Sequence, residues 1–157
     1  MGRVELVFDP EQLQFSIPVL IAHIETGALE TAEFLVDTGS NGSSLSESTA
    51  RKVGIIPELL KSELVGGVGG YTQEPVYRGT LTLYLNENLD QVLIRDPRVF
   101  LPITRKVKKR SMGRVVAQRI VEAPVPNLFG MDALRSINGE PGVLTIDLRS
   151  GSGVIEW

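Results

Sequence analysis

The chain has no cysteine. Disulfides, thiol nucleophiles and cysteine-zinc sites are therefore excluded. It has one histidine, His23, which argues against a histidine metal cluster and a Ser-His triad. Aromatic residues are scarce, at 6%. No apolar run is long enough to cross a bilayer as a helix, so no membrane partner is expected. Neither sign of charge dominates. The formal net charge is -3, and no bulk attraction to nucleic acid is expected from it. The first residues, Met1-Gly2-Arg3-Val4-Glu5, lack the apolar stretch of a signal peptide. Leu6 stands where a myristoylation signal has Ser or Thr. The expectation is a cytoplasmic protein of one domain, residues 1–157, without cofactor or metal.

What is present is mostly strand pattern. Val4 to Phe8, Phe15 to Ile24, Thr31 to Val36 and Pro75 to Leu85 each read as extended. A short helix is expected from Glu47 to Val53. Ser46 caps its start, and Gly54 takes the left-handed position past its end. A second short helix is expected from Met131 to Ile137. The last residues, Val143 to Leu148 and Gly153 to Trp157, flank Arg149-Ser150-Gly151-Ser152 as a terminal hairpin. Between Asn86 and Glu122 the signal is mixed. Arg105-Lys106-Val107-Lys108-Lys109-Arg110 reads as an exposed basic loop, and Val115 to Glu122 as a possible strand. Many short strands and two small helices predict an all-β domain closing as a barrel or sandwich. His23 falls in an alternating stretch and is expected to be structural.

Three elements carry possible chemistry. The first is Phe34-Leu35-Val36-Asp37-Thr38-Gly39-Ser40. An apolar strand runs into a carboxylate, where desolvation is costly, and a glycine lets the backbone turn beside it. The functional reading is a catalytic Asp37 positioned with help from Thr38 and Ser40. The plain alternative is an Asx turn at the end of a strand. The second element is Gly66-Gly67-Val68-Gly69-Gly70-Tyr71. It lacks the lysine of a phosphate loop and the spacing of a dinucleotide loop. A mobile hairpin tip fits it, with Tyr71 either covering a ligand or packed at the base. The third is Leu128-Phe129-Gly130, which taken alone is a helix start with a core-facing pair.

In this order the three elements resemble the retropepsin-like, single-domain aspartic proteases. The resemblance runs from about Phe15 to Ile155 and is most specific at Asp37-Thr38-Gly39. It implies a barrel-like acid-protease fold with one or two short helices and a glycine-rich flap. The flap would comprise Gly67, Val68, Gly69, Gly70 and Tyr71. Leu128-Phe129-Gly130 would be the apolar-apolar-Gly element beside the active site. Residues 86–122 exceed what compact members need there, which implies a loop or hairpin insert. The resemblance also implies peptide hydrolysis by two aspartates and a water. Asp9, Asp90, Asp96, Asp132 and Asp147 all lack a following Thr-Gly or Ser-Gly. One motif per chain implies a homodimer with one Asp37 from each subunit, acting on a peptide or protein substrate. The competing expectation is an inactive dimeric module that binds peptide without cleaving it.

Overall fold

The computed structural model describes residues 1–67, 70–123 and 125–157. The chain opens with β1 (Arg3–Glu5) and β2 (Val7–Asp9). These were expected as one strand. They part at the buried Leu6, whose N–H donates to the Gly153 carbonyl at 2.9 Å. The break sends β1 and β2 into different sheets. Next come β3 (Gln14–His23) and β4 (Ala28–Val36), an antiparallel pair. In β3, Phe15, Ile17, Val19, Ile21 and His23 are all buried, so one face of a period-two strand supplies much of the core.

β5 (Ser44–Ser46) leads into α1 (Glu47–Lys52). Ser46 caps that helix by accepting from the Thr49 N–H at 3.2 Å. Gly54 lies just past it at φ +81°, where a side chain would be strained. A 3-10 turn (Pro57–Leu59) precedes β6 (Lys61–Gly67) and β7 (Gly70–Val76). β8 (Thr80–Tyr84), β9 (Gln91–Arg95) and β10 (Arg98–Phe100) follow. The expected strand from Pro75 to Leu85 is thus two strands. The chain turns at Tyr77-Arg78-Gly79, where Tyr77 N–H binds the Pro97 carbonyl at 3.0 Å. The Tyr77 ring lies 2.6 Å from where a Cβ on Gly79 would sit, so a side chain there would have to push the ring aside.

β11 (Ile103–Ser111) and β12 (Arg114–Ala123) form a ribbon of their own. The basic run read as a loop is therefore a strand. Met112 and Gly113 close the ribbon at φ +49° and +76°, the left-handed pair that a two-residue hairpin turn uses. β13 (Asn127–Phe129), α2 (Met131–Leu134), β14 (Val143–Asp147) and β15 (Ser152–Glu156) complete the chain. The second helix is shorter than expected. Ile137 leaves it to exchange hydrogen bonds with Glu140 and is fully buried.

The main sheet curls into a half-barrel, as an all-β fold of this kind requires. Its strand order is β6-β7-β10-β5-β13-β4-β3-β8-β9, with β2 added on β3. A three-stranded sheet, β1-β15-β14, joins the two ends of the chain. The interior is filled by Phe34, Phe129, Ile17, Ile21, Leu83 and Ile155, each at most 1% exposed. Each such side chain contributes roughly 1.5–3 kcal/mol by leaving water. His23 is buried among them. Its Nδ1 lies 2.7 Å from the Val53 carbonyl and its Nε2 2.7 Å from the Tyr77 hydroxyl, a structural role. Among the described residues no helix is long and apolar enough to cross a membrane.

Candidate active site

Asp37 follows directly on β4 and is half-buried. Its backbone N–H donates to the Phe129 carbonyl at 3.0 Å, continuing the pairing of β4 with β13. Its carboxylate Oδ1 accepts the Gly39 N–H at 2.9 Å, and its carbonyl accepts the Ser40 N–H at 3.2 Å. The loop thus folds back on the aspartate and orients the carboxylate from its own backbone. Thr38 and Gly39 stand exposed at the tip. The Ser40 hydroxyl donates to the Gly42 carbonyl at 2.7 Å and accepts from Arg98 Nη2 at 3.2 Å.

β13 locks this loop from behind. It runs parallel to β4, with Asn127, Leu128 and Phe129 opposite Phe34, Leu35 and Val36. Leu128 also pairs antiparallel with Ser44 of β5. One short strand therefore holds both the strand before the Asp37 loop and the strand after it. Asn127 is the peg. Its Oδ1 accepts the Ser46 N–H at 2.8 Å, and its Nδ2 donates to the Glu33 carbonyl at 3.0 Å. Phe129 is core, at 1% exposed.

Gly130 lies directly against the Asp37 loop. A Cβ there would lie 2.7 Å from both C and O of Gly42 and 2.9 Å from the Ser40 carbonyl oxygen. Those atoms are backbone and cannot swing aside. Beyond it, the Met131 and Asp132 N–H groups donate to the carbonyls of Ser40 and Asn41, at 2.8 and 3.0 Å. The Ser43 hydroxyl accepts the Gly130 N–H at 3.0 Å and donates to Asp132 Oδ1 at 2.7 Å. Among the described residues, no three His, Cys, Asp or Glu side chains converge as a metal site would.

The glycine-rich hairpin is β6 and β7, paired in register from Lys61↔Val76 to Gly67↔Gly70. Val68 and Gly69 lie outside the described residues. Tyr71 is 75% exposed. Its ring crosses to the facing strand, where a Cβ on Gly66 would meet it at 3.2 Å. β10 ties this hairpin to the Asp37 corner. It pairs with β7 at Arg98↔Val76 and runs parallel to β5.

No family model and no curated protein sequence matches the chain. Among solved structures, a retropepsin-like aspartic protease from Rickettsia conorii matches with a TM-score of 0.57. The likeness covers 98% of this chain and 90% of that one, at 15% sequence identity. The fold is retropepsin-like.

In this retropepsin-like fold, the loop of residues 37–40 meets residues 128–130 in one corner, through the Asp37 N–H on the Phe129 carbonyl and the close approach of Gly130 to the Ser40 carbonyl. Gly67, Gly70 and Tyr71 lie on the separate β6–β7 hairpin. Four residues of the corner have no site role assigned from the sequence: Ser43, Arg98, Asn127 and Asp132. Asn127 had a signal, a polar residue between Pro124-Val125-Pro126 and the apolar pair Leu128-Phe129. Arg98 had none, since 58 residues separate it from Ser40.

Proposed function

We propose that the chain is an aspartic endopeptidase that works as a two-fold homodimer, each subunit giving one Asp37. The observation that carries this reading is the Asp37 corner. A half-buried carboxylate is held by the Gly39 N–H on a loop clamped by β13, in a retropepsin-like fold. The chain has one Asp-Thr-Gly, so a pair of such carboxylates needs two copies.

In aspartic proteases two facing carboxylates share one proton, because like charges in contact resist double ionisation. The titration then belongs to the pair. The ionised Asp37 takes a proton from water as its oxygen attacks the scissile carbonyl carbon. The protonated Asp37 of the other subunit gives its proton to the carbonyl oxygen. The Asp37 that took the water's proton then gives it to the nitrogen as the C–N bond breaks, and the other Asp37 takes a proton from a gem-diol hydroxyl, which leaves a carboxylic acid, an amine and the dyad again sharing one proton. Thr38 is exposed at the loop tip, and in the dimer it hydrogen-bonds across the axis and holds the two loops together. Gly39 lets the two loops approach. The β6–β7 hairpin is the flap, with Gly67, Val68, Gly69, Gly70 and Tyr71 covering an extended peptide that adds as a strand. Leu128, Phe129 and Gly130 position the aspartate without touching substrate. Residues 1–157 act as one domain.

The test is cleavage of a peptide library from acidic to neutral pH by the wild type and by Asp37→Asn. The amide can neither accept the water's proton nor donate one to the carbonyl oxygen, so activity falls by about 10²–10⁴-fold. Folding and sedimentation stay those of the parent. Cleavage that survives the substitution, or a fully active monomer, overturns the mechanism. A chain that dimerises and binds peptide without cutting it is instead a binding module.

A further inference from the structure

The β11–β12 ribbon is absorbed by nothing in the proposed chemistry. Residues 103–123 hold seven cations, Arg105, Lys106, Lys108, Lys109, Arg110, Arg114 and Arg119, against one acid, Glu122. That segment carries +6. Since the whole chain is -3, the remaining residues sum to -9. The charge that argued against a polyanion partner is an average of two opposite regions.

Geometry keeps those regions apart. Among the described residues, the ribbon pairs with no strand of either other sheet. From Lys108 to Ile120 every residue is exposed. A strand of this length extends about 30 Å at 3.3 Å per residue. The screening length at physiological salt is about 8 Å. The outer ribbon is therefore shielded from the acidic body, and an anion meeting it feels local positive charge.

The register preserves that density. Lys106 faces Ile120, Lys108 faces Gln118, Lys109 faces Ala117, Arg110 faces Val115 and Arg119 faces Val107. No cation stands directly opposite another, which would be destabilising. Among the described residues none of Lys106, Lys108, Lys109, Arg110, Arg114 or Arg119 forms an ion pair, whereas Arg3, Arg51 and Arg78 of the body do. Among the described residues none of the ribbon belongs to the core or packs against it. An isolated two-stranded ribbon is marginal in water, so a partner that neutralises it also orders it.

We propose that the β11–β12 ribbon binds duplex DNA, entering the major groove and contacting phosphates on both walls. The placement of charge selects this partner over an anionic membrane. Strand residues alternate in direction, so Lys106, Lys108 and Arg110 lie on one face and Lys109 and Arg119 on the other. A membrane-lying ribbon needs one apolar face, and this one has cations on both. The B-DNA major groove admits a two-stranded ribbon and presents phosphates on either side of it. Binding is through the backbone and does not read sequence.

The test uses the full-length protein and a fluorescent duplex of about 20 base pairs, titrated over a range of salt concentrations starting near 50 mM. Vesicles of phosphatidylserine and phosphatidylcholine form the second arm. The wild type binds the duplex, and log K falls linearly with log salt. In K106Q/K108Q/R110Q affinity drops at least about tenfold, and the slope loses about 2–3 units, near 0.9 per phosphate contact removed. R114Q/R119Q gives an independent reading from the other strand, with a loss of about 2 units. All five positions are exposed, so the unfolding midpoint of each variant stays that of the parent. Absence of duplex binding near 50 mM salt overturns the proposal. So does a slope unchanged in both variants, or capture by vesicles with none by DNA. Peptide cleavage is read separately, so failure here leaves the endopeptidase reading untouched.

Discussion

The Asp37 corner and the β11–β12 ribbon are built on opposite terms. In the corner, backbone groups of one segment are engaged by another. Asp37 binds Phe129, Met131 binds Ser40, Asp132 binds Asn41, and Asn127 joins β4 to β5. In the ribbon, among the described residues, the two strands pair only with each other, and the side chains from Lys108 to Ile120 are exposed. Position matters in the first region to a fraction of an ångström. In the second, what matters is the density and spacing of charge. A single methyl group should therefore damage the corner more than the loss of many residues damages the ribbon.

Gly130→Ala is the sharpest form of that claim. The added carbon would sit 2.7 Å from Gly42 backbone atoms, so the Asp37 loop or β13 must shift. Overpacking of this kind costs about 1–3 kcal/mol. A displacement approaching 1 Å at a reacting group costs activity by about 10²-fold. Denaturant midpoint and peptide cleavage should both fall. Gly42→Ala is the control on the other side of the same contact. Nothing lies within 4 Å of its Cβ, and its midpoint should move by less than about 0.5 kcal/mol. Equal effects from the two would show that the corner is not close-packed in the way described.

Asn127→Ala tests the peg. The substitution strips partners from the Ser46 N–H and the Glu33 carbonyl, one of them on a buried residue. Leaving such groups unpaired costs about 1–3 kcal/mol, with little steric disturbance. Thermal unfolding should therefore drop while the residual activity at low temperature exceeds that of Gly130→Ala. The reverse ranking would place Asn127, and not Gly130, as the residue that positions Asp37.

These two residues also mark how far the sequence could be read. Asp37-Thr38-Gly39-Ser40 and Leu128-Phe129-Gly130 were legible as local patterns, because their chemistry lies within a few consecutive residues. The α1 cap at Ser46 and the left-handed Gly54 were legible for the same reason. Arg98 on Ser40 and Ser43 on Asp132 were not, since each pair is brought together only by the order of strands in the sheet. The breaks at Leu6 and at Tyr77-Arg78-Gly79 were missed because alternation persists across them. Leu6 remains apolar and buried while its strand changes sheets. The basic run was read as a loop because charge density resembles a solvated segment. Its partner strand, with Val115, Val116, Ile120 and Val121, is what turns it into a ribbon.

The ribbon gives the smallest expected effect on stability. Val107 and Arg119 are partners in its register, so residues 108–118 can be replaced by Asn-Gly as a two-residue turn between them. Every residue removed is exposed, and none belongs to the core. The unfolding free energy should change by less than about 0.5 kcal/mol, the range of surface changes that touch nothing. Peptide cleavage should be retained, while the cations at 108, 109, 110 and 114 are lost together. A fall of several kcal/mol would mean that the ribbon packs on the body and supports it, and the contrast with the corner would fail. An unchanged midpoint would mean that residues 108–118 are kept at no benefit to the fold. Their positive charge then has to be explained by something outside the chain.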